Sequence, residues 1–348
     1  MLLFRECKEN TCNKNYRLLI RCFIFYLLIG ICALAAHGRV PEAASLDVAQ
    51  AADLGRLRHY QVLEDKTCEQ QFDETRHSAH WTTVTGQASN FGFTGACWWI
   101  RFNLDNSGQQ ALPVTIDLGT PLQDYVDWHV LDRTDGRLLT SVRSGDRRDF
   151  NFRYQKSLTL SLPLTMAAGQ RLAVYARLAS FDGFQEPLNL AVQTSDAFSL
   201  KKSREHLLTG MYFGCLLAFC IYSVFLFIST KEKIHIIYAV FLMLLIINTC
   251  VYYGVSTEFI HPKQPDFNNP LLPFSFALCM FFFFVFAKIY LKMSEQPPNI
   301  LMEIYHIITI ILLLISPLAF LLGHAAGHAA NAVLVLFNIG ILLILTIR

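Results

Sequence analysis

The chain changes solvent part-way along its length. From Leu207 to Arg348 only eleven side chains are charged, nearly all in short breaks between apolar runs of about twenty residues, the length that crosses a hydrocarbon core. Residues from Ala36 to Arg204 are instead polar and patterned in short alternating runs. No single fold suits both halves. Backbone groups in lipid must be satisfied within a helix or a closed barrel, so the second half is expected to be a helix bundle. The first half is expected to be a separate domain outside the bilayer.

This division gives three segments: a leader over 1–36, a domain over 45–200, and a bundle over 205–348. The leader has a basic stretch with Arg5, Lys8, Lys14, Arg17 and Arg21, an uncharged stretch from Cys22 to Ala36, and the small-x-small pattern Ala33-Leu34-Ala35. That is the pattern of a signal peptide, with an N-terminal anchor as the alternative. Either would export the domain over 45–200. A net charge of +2 is too small to indicate a nucleic-acid partner. Of ten cysteines, four lie in the leader and four in apolar spans, leaving Cys68 and Cys97 in the exported domain. An isolated pair in an oxidising compartment can form a disulfide; two buried thiols fit the residues equally well.

The exported domain reads as an all-β sandwich or jelly roll. Trp98, Ile100, Phe102 and Leu104 alternate with Trp99, Arg101, Asn103 and Asp105, as in a half-buried strand. Leu112–Leu118, Val126–Val130, Leu158–Leu162, Leu172–Leu178 and Leu188–Val192 repeat the pattern. Thr134-Asp135-Gly136 is a hairpin signal. Six or more strands without a strong intervening helix indicate an antiparallel sandwich. The one helix expected here is short, around Glu69–Thr75.

Five spans can be placed: Leu207–Ile228, Ile234–Tyr253, Leu271–Leu291, Ile304–Leu322 and Asn331–Ile347. With the first domain exported, the first span runs inward. Lys231, Lys233, Lys288 and Lys292 then fall on the cytoplasmic side, in keeping with the positive-inside bias. Lys201, Lys202 and Arg204 oppose it. Asn248, Asn338 and Pro317 are the polar or kinking residues within spans, suited to interhelical hydrogen bonds or a hinge. No carboxylate sits at mid-span, as an ion-coupled pump would need.

Trp99 and Arg101 share the strand face opposite the apolar one. Trp can stack on a sugar ring and Arg can donate in a planar fork. With Asp124, Asp127 and Arg177 they are the candidate ligand platform; a structural cation–π pair is the competing account. His77/His80 and His324/His328 lack a third ligand nearby, so no metal site is expected. Nucleophile elbows, P-loops, dinucleotide fingerprints and HExxH are absent, so neither a cofactor nor enzymatic activity is expected.

Both halves resemble the bacterial seven-transmembrane receptors with diverse intracellular signalling modules. In the first half the likeness lies in Trp99-Ile100-Arg101-Phe102, Asn106, Leu122–Asp132, Gly145-Asp146, Arg153 and Val174-Tyr175-Ala176-Arg177. These resemble the second type of extracellular domain, a jelly roll. In the second half it lies in Gly210–Ile228, Ile237-Tyr238-Ala239, Tyr253-Gly254 and the phenylalanine-rich third span. The family has seven spans and then a kinase, a GGDEF-type cyclase or a phosphatase domain; here there are five spans and no such domain.

The resemblance implies a multi-pass sensor of the bacterial inner membrane, with its first domain periplasmic and its C-terminus cytoplasmic. Its ligand would be small, with carbohydrate suggested by other jelly rolls. Its candidate partners are that ligand, the bilayer, a separate cytoplasmic signalling protein and a second copy of the chain. The alternatives are a non-signalling membrane-tethered binding or envelope module and a transporter accessory subunit.

Overall fold

The computed structural model describes residues 43–348 except 44, 51–54, 87–89, 93, 154, 181–183, 185–187, 296–298, 316, 318–323 and 348. The expected leader lies outside the described residues. The chain divides into two compact units, Met1–Glu42 with Phe72–Trp81 and Ala43–Gln71 with Thr82–Arg348. In the smaller unit, helix α1 (Phe72–Arg76) runs into a turn in which Trp81 Nε1 donates to the Thr75 carbonyl at 3.2 Å.

The larger unit opens with a β-sandwich. Ten strands are described: β1 (Ser45–Asp47), β2 (His59–Asp65), β3 (Thr82–Thr85), β4 (Cys97–Asp105), β5 (Leu112–Asp117), β6 (Tyr125–Asp132), β7 (Leu138–Ser144), β8 (Ser161–Met166), β9 (Arg171–Ala179) and β10 (Ala191–Thr194). One sheet runs β3-β2-β4-β9-β6-β7, with β1 added in parallel to β4; the other runs β10-β5-β8. All other pairings among the described strands are antiparallel.

The alternating apolar positions form one core. Ile100, Phe102 and Leu104 of β4, Trp128 of β6 and Val174 of β9 face Val114 and Ile116 of β5 and Leu162 and Met166 of β8. Period-2 side chains from two sheets interdigitate this way in sandwiches.

Two local expectations shift. The short helix starts at Phe72 because Asp65 holds the preceding residues in a turn. Its carboxylate accepts from Thr67 Oγ1 at 3.1 Å and from the Gln70 amide at 3.0 Å. Strand β8 starts at Ser161, and Leu158 lies outside it. Arg153 Nη1 donates to the Ser157 and Leu158 carbonyls at 3.0 and 3.2 Å, which draws that stretch off the ladder.

The rest of the unit is helical: α2 (Ser195–Thr230), α3 (Lys233–Tyr252), α4 (Val255–Phe259), α5 (Pro265–Tyr290), α6 (Ile300–Ile315) and α7 (His324–Ile347). Three of these, α2, α3 and α5, are long and apolar enough to cross a membrane; shorter apolar helices cover Ile300–Leu314 and Asn331–Leu345. Residues 316 and 318–322 of the expected fourth span are outside the described residues. Outward-facing α2 side chains such as Leu208, Phe219, Ile221 and Phe225 are exposed. A contiguous apolar surface of this kind is unfavourable in water and natural in lipid.

Polar groups between the helices are bonded across them. Asn248 Nδ2 donates from α3 to the Leu272 carbonyl and Ser275 Oγ of α5, and Asn338 Nδ2 donates from α7 to Thr309 Oγ1 of α6. Helix α5 contains Pro270 and Pro273, each of which removes an intrahelical donor. Asn331 Nδ2 reaches the Pro273 carbonyl at 3.0 Å.

The ligand platform and the sandwich–bundle joint

The register of the larger sheet brings three of the five platform residues together. Trp99 on β4 pairs with Arg177 on β9, and Arg177 pairs in turn with Asp127 on β6. They form a row across the sheet on the face away from the sandwich core. Asp124 stands apart, just before the start of β6.

An accessible platform requires open ring and guanidinium surface, and the structure corrects that expectation. Trp99 is 1% exposed and Arg101 5%, and their face-mates Gln61, Leu63, Asp65 and Asn103 are buried too. From Trp99 to Leu104 both faces of β4 are closed to solvent. Trp98, on the core face, is only half-buried, stacked on Phe91 at 4.3 Å. The physical reason is that alternation assigns a side chain to a face without saying whether that face is covered.

The polar groups on this face are engaged with one another. Arg101 Nε donates to Gln61 Oε1 at 2.7 Å, and burial pushes its guanidinium below the ordinary range, against the opposing pull of Tyr175. Arg177 Nη2 donates to the Cys68 carbonyl at 2.8 Å, while its Nη1 lies 3.7 Å from Asp127. Asp127 is bridged on its other side by Arg148 at 2.6 Å.

Cys68 and Cys97 form a disulfide with Cα atoms 5.1 Å apart. It ties the turn after β2 to the start of β4, beside the Arg177 guanidinium. Asn106 Nδ2 donates to the carbonyls of Gln110, Met166 and Ala167, stapling the β4–β5 loop to the β8–β9 turn. Among the described residues no group of three or more His, Cys, Asp or Glu could hold a metal. The side chains of His324 and His328 lie outside the described residues.

The joint between sandwich and helices has more to offer. Strand β10 ends at Thr194, whose hydroxyl accepts from the Ala197 amide at 3.2 Å and so caps α2. A Thr N-cap of this kind stabilises a helix by about 1 kcal/mol. No loop intervenes between strand and helix. Asp117, at the end of β5 and 0% exposed, faces Lys201 and Lys202 of α2 at 3.5 and 3.8 Å.

A second attachment joins the loop after β7 to the loops around α4. Gly145 has φ +139, and a Cβ there would fall on the Asp124 carbonyl, so only glycine fits. It sets Asp146 and Arg147 beside Asn269 of α5. Arg147 Nε pairs with Asp124 at 3.1 Å and donates to the Asn269 side-chain oxygen at 2.9 Å, while the Asn269 amide donates to Asp146 at 3.3 Å.

The Phe150 amide donates to the Pro262 carbonyl at 3.2 Å. Burial pushes the Arg153 guanidinium down to about 10, opposed by the carboxylates of Asp146 and, from α4, Glu258. Gly254 has φ +74, and a Cβ there would meet Pro121 of the sandwich at 3.1 Å. Gly145-Asp146, Arg153 and Tyr253-Gly254 stood out in the sequence, but nothing in their order paired them across the chain.

A sandwich continued without a linker into apolar helices, and braced against them by ion pairs, defines a membrane protein with an extramembrane β domain. Comparison with known proteins makes the class specific. Residues 57–191 match the 7TMR-DISM extracellular 2 domain, and residues 205–348 match the 7TM diverse intracellular signalling domain. The chain belongs to the family of seven-transmembrane receptors with diverse intracellular signalling modules, and its matched domains are of receptor type.

No curated protein matches. Among solved structures, a GH31 alpha-xylosidase from Xanthomonas citri is similar at 12% identity and a TM-score of 0.21, covering 45% of this chain and 16% of that one. A likeness of that size bears on neither fold nor activity.

Proposed function

We propose that the chain is a ligand-gated sensor of the bacterial inner membrane. Its periplasmic sandwich binds a small neutral ligand, and α2 carries the change to the cytoplasmic side. The carrying observation is a cleft of about 420 Å3 that ends at Ser195, the first residue of α2. It opens between Leu139 and Thr140 of β7 and Leu164 and Thr165 of β8, with Gln170 at its side. Hydroxyl and amide groups set among aliphatic side chains suit a neutral polyhydroxylated molecule. The charge-free lining disfavours a sugar acid, which would leave a carboxylate unpaired. Carbohydrate is the class to test first, by analogy with other jelly rolls.

In this reading the first span runs inward, so the loops holding Lys231 and Lys292 are cytoplasmic. The output domain is supplied beyond these residues or by a separate cytoplasmic protein.

The test uses the full chain in lipid nanodiscs with a panel of neutral mono- and oligosaccharides. One of them should raise Tm saturably and slow hydrogen exchange in the first turns of α2. Thr165→Trp, which fills the cleft from an exposed position, should abolish both effects. A sugar response that survives Thr165→Trp, or a panel with no response, would overturn the reading.

A further inference from the structure

The turns of α2 just before its apolar run carry Lys201, Lys202, Arg204 and His206 against one acid, Glu205. In the topology of the proposed sensor they lie on the side that the positive-inside bias leaves poor in cations. Topology therefore does not account for them. All but Arg204 border a pocket of about 430 Å3 between the sandwich and the helices, walled by Lys201, Lys202, Glu205 and His206 of α2, Tyr252 and Tyr253 at the end of α3, and Thr159 of the sandwich.

The local charges do not cancel. Lys202 lies 2.8 Å from Glu205 and 3.8 Å from Asp117, with its side chain 12% exposed. Lys201 lies 3.5 Å from Asp117 and 3.8 Å from Glu205, with its side chain 41% exposed. With Arg204, three cations stand against two carboxylates before His206 is counted. Of the two lysines, Lys201 has the more surface left to offer.

We infer that this pocket binds the phosphate headgroup of an anionic phospholipid from the leaflet on the sandwich side. Depth agrees. The apolar run begins at Leu207, so at about 1.5 Å per residue Lys201 and Lys202 stand about 8 Å above the hydrocarbon edge, within snorkelling reach of the headgroup layer. Tyrosines are the aromatic residues expected at that level, and Tyr252 and Tyr253 bring hydroxyl donors. A lipid fits better than free phosphate because the pocket wall includes Leu208. That residue leads onto the exposed apolar face of α2 at Leu207 and Met211, a track for acyl chains.

The inference rests on α2 entering the membrane from the sandwich side, and not on which compartment that side faces. The full chain would be reconstituted in vesicles of phosphatidylcholine with phosphatidylglycerol, and retained lipid counted by native mass spectrometry. Phosphatidylglycerol should be retained in preference to phosphatidylcholine. Lys201→Gln should weaken that retention about fivefold, the value of one lysine at an anionic surface.

Tyr253→Phe, which removes only a hydroxyl, should also weaken it and keeps the test decisive if Lys201→Gln folds poorly. Arg204→Gln, on the same turn but off the pocket wall, should weaken retention less than Lys201→Gln does. Equal retention of both lipids, equal loss with Arg204→Gln, or displacement by inorganic phosphate or glycerol 3-phosphate would each overturn the proposal. Binding in symmetric vesicles does not depend on cellular orientation, so a topology result against the proposed function leaves this result standing.

Discussion

Trp98 and Trp99 are adjacent and have unequal environments. Trp99 is fully buried among Leu63, Arg177 and His129, stacked on the imidazole with centroids 6.1 Å apart, whereas Trp98 is half-buried. Trp99→Ala is therefore expected to cost about 3–5 kcal/mol, as large aromatic truncations do in a packed interior. Trp98→Ala should cost less, and urea unfolding of both variants compares them. A smaller loss for Trp99→Ala would mean that its face is open. Replacing Cys97 by Ser should lower stability by about 3–4 kcal/mol, the chain-entropy value for a closed loop of separation 29, read as a lower Tm under non-reducing conditions. At Gly145, alanine meets both a left-handed φ and the Asp124 backbone. Gly145→Ala should be strongly destabilising, while alanine at the open Gly169 should cost only the strain of its positive φ. At this scale the apolar half of β4 could be read from alternation and the buried polar half could not. Cover over Arg101 and Trp99 is a tertiary fact that period 2 does not encode.

Elements were more legible than residues. Strand β9 keeps its alternating pattern from Arg171 to Ala179, and its even-numbered side chains all enter the core. The edges were less legible because single side-chain hydrogen bonds to the backbone set them, as Asp65 does before α1 and Arg153 before β8. Helix α5 shows the same dependence. Its two interior prolines weaken its first turns, and Asn248 and Asn331 supply donors to carbonyls there. Asn248→Leu removes two interhelical hydrogen bonds, each worth about 0.6 kcal/mol within a membrane bundle. A loss of about 1 kcal/mol is expected, measured by thermal melting in detergent micelles. A loss several times larger would show that Asn248 holds the whole Pro270–Pro273 segment in place.

For the whole molecule, the division between sandwich and bundle was plain in the charge distribution, because solvent preference is a property of composition. The joint between them was not. Asp146 meets Asn269, and Gly254 meets Pro121, across more than a hundred positions each, and no local pattern links such pairs. Reporter fusions should place residues 45–200 on one side of the membrane, with Lys231 and Lys292 on the other. A reporter joined after Lys292 and active on the sandwich side would contradict this.

The sandwich is held to the bundle at two separated places, the unbroken passage from β10 into α2 and the clasp of Gly145–Phe150 on Pro262 and Asn269. Two fixed points define an axis. A body pinned so cannot spin about the membrane normal or plunge along it without breaking one attachment. The freedom that remains is to nod about the line joining them. A ligand held by the sandwich would therefore be felt in the membrane as a change of inclination, resisted by the ion pairs of Asp117 with its two lysines.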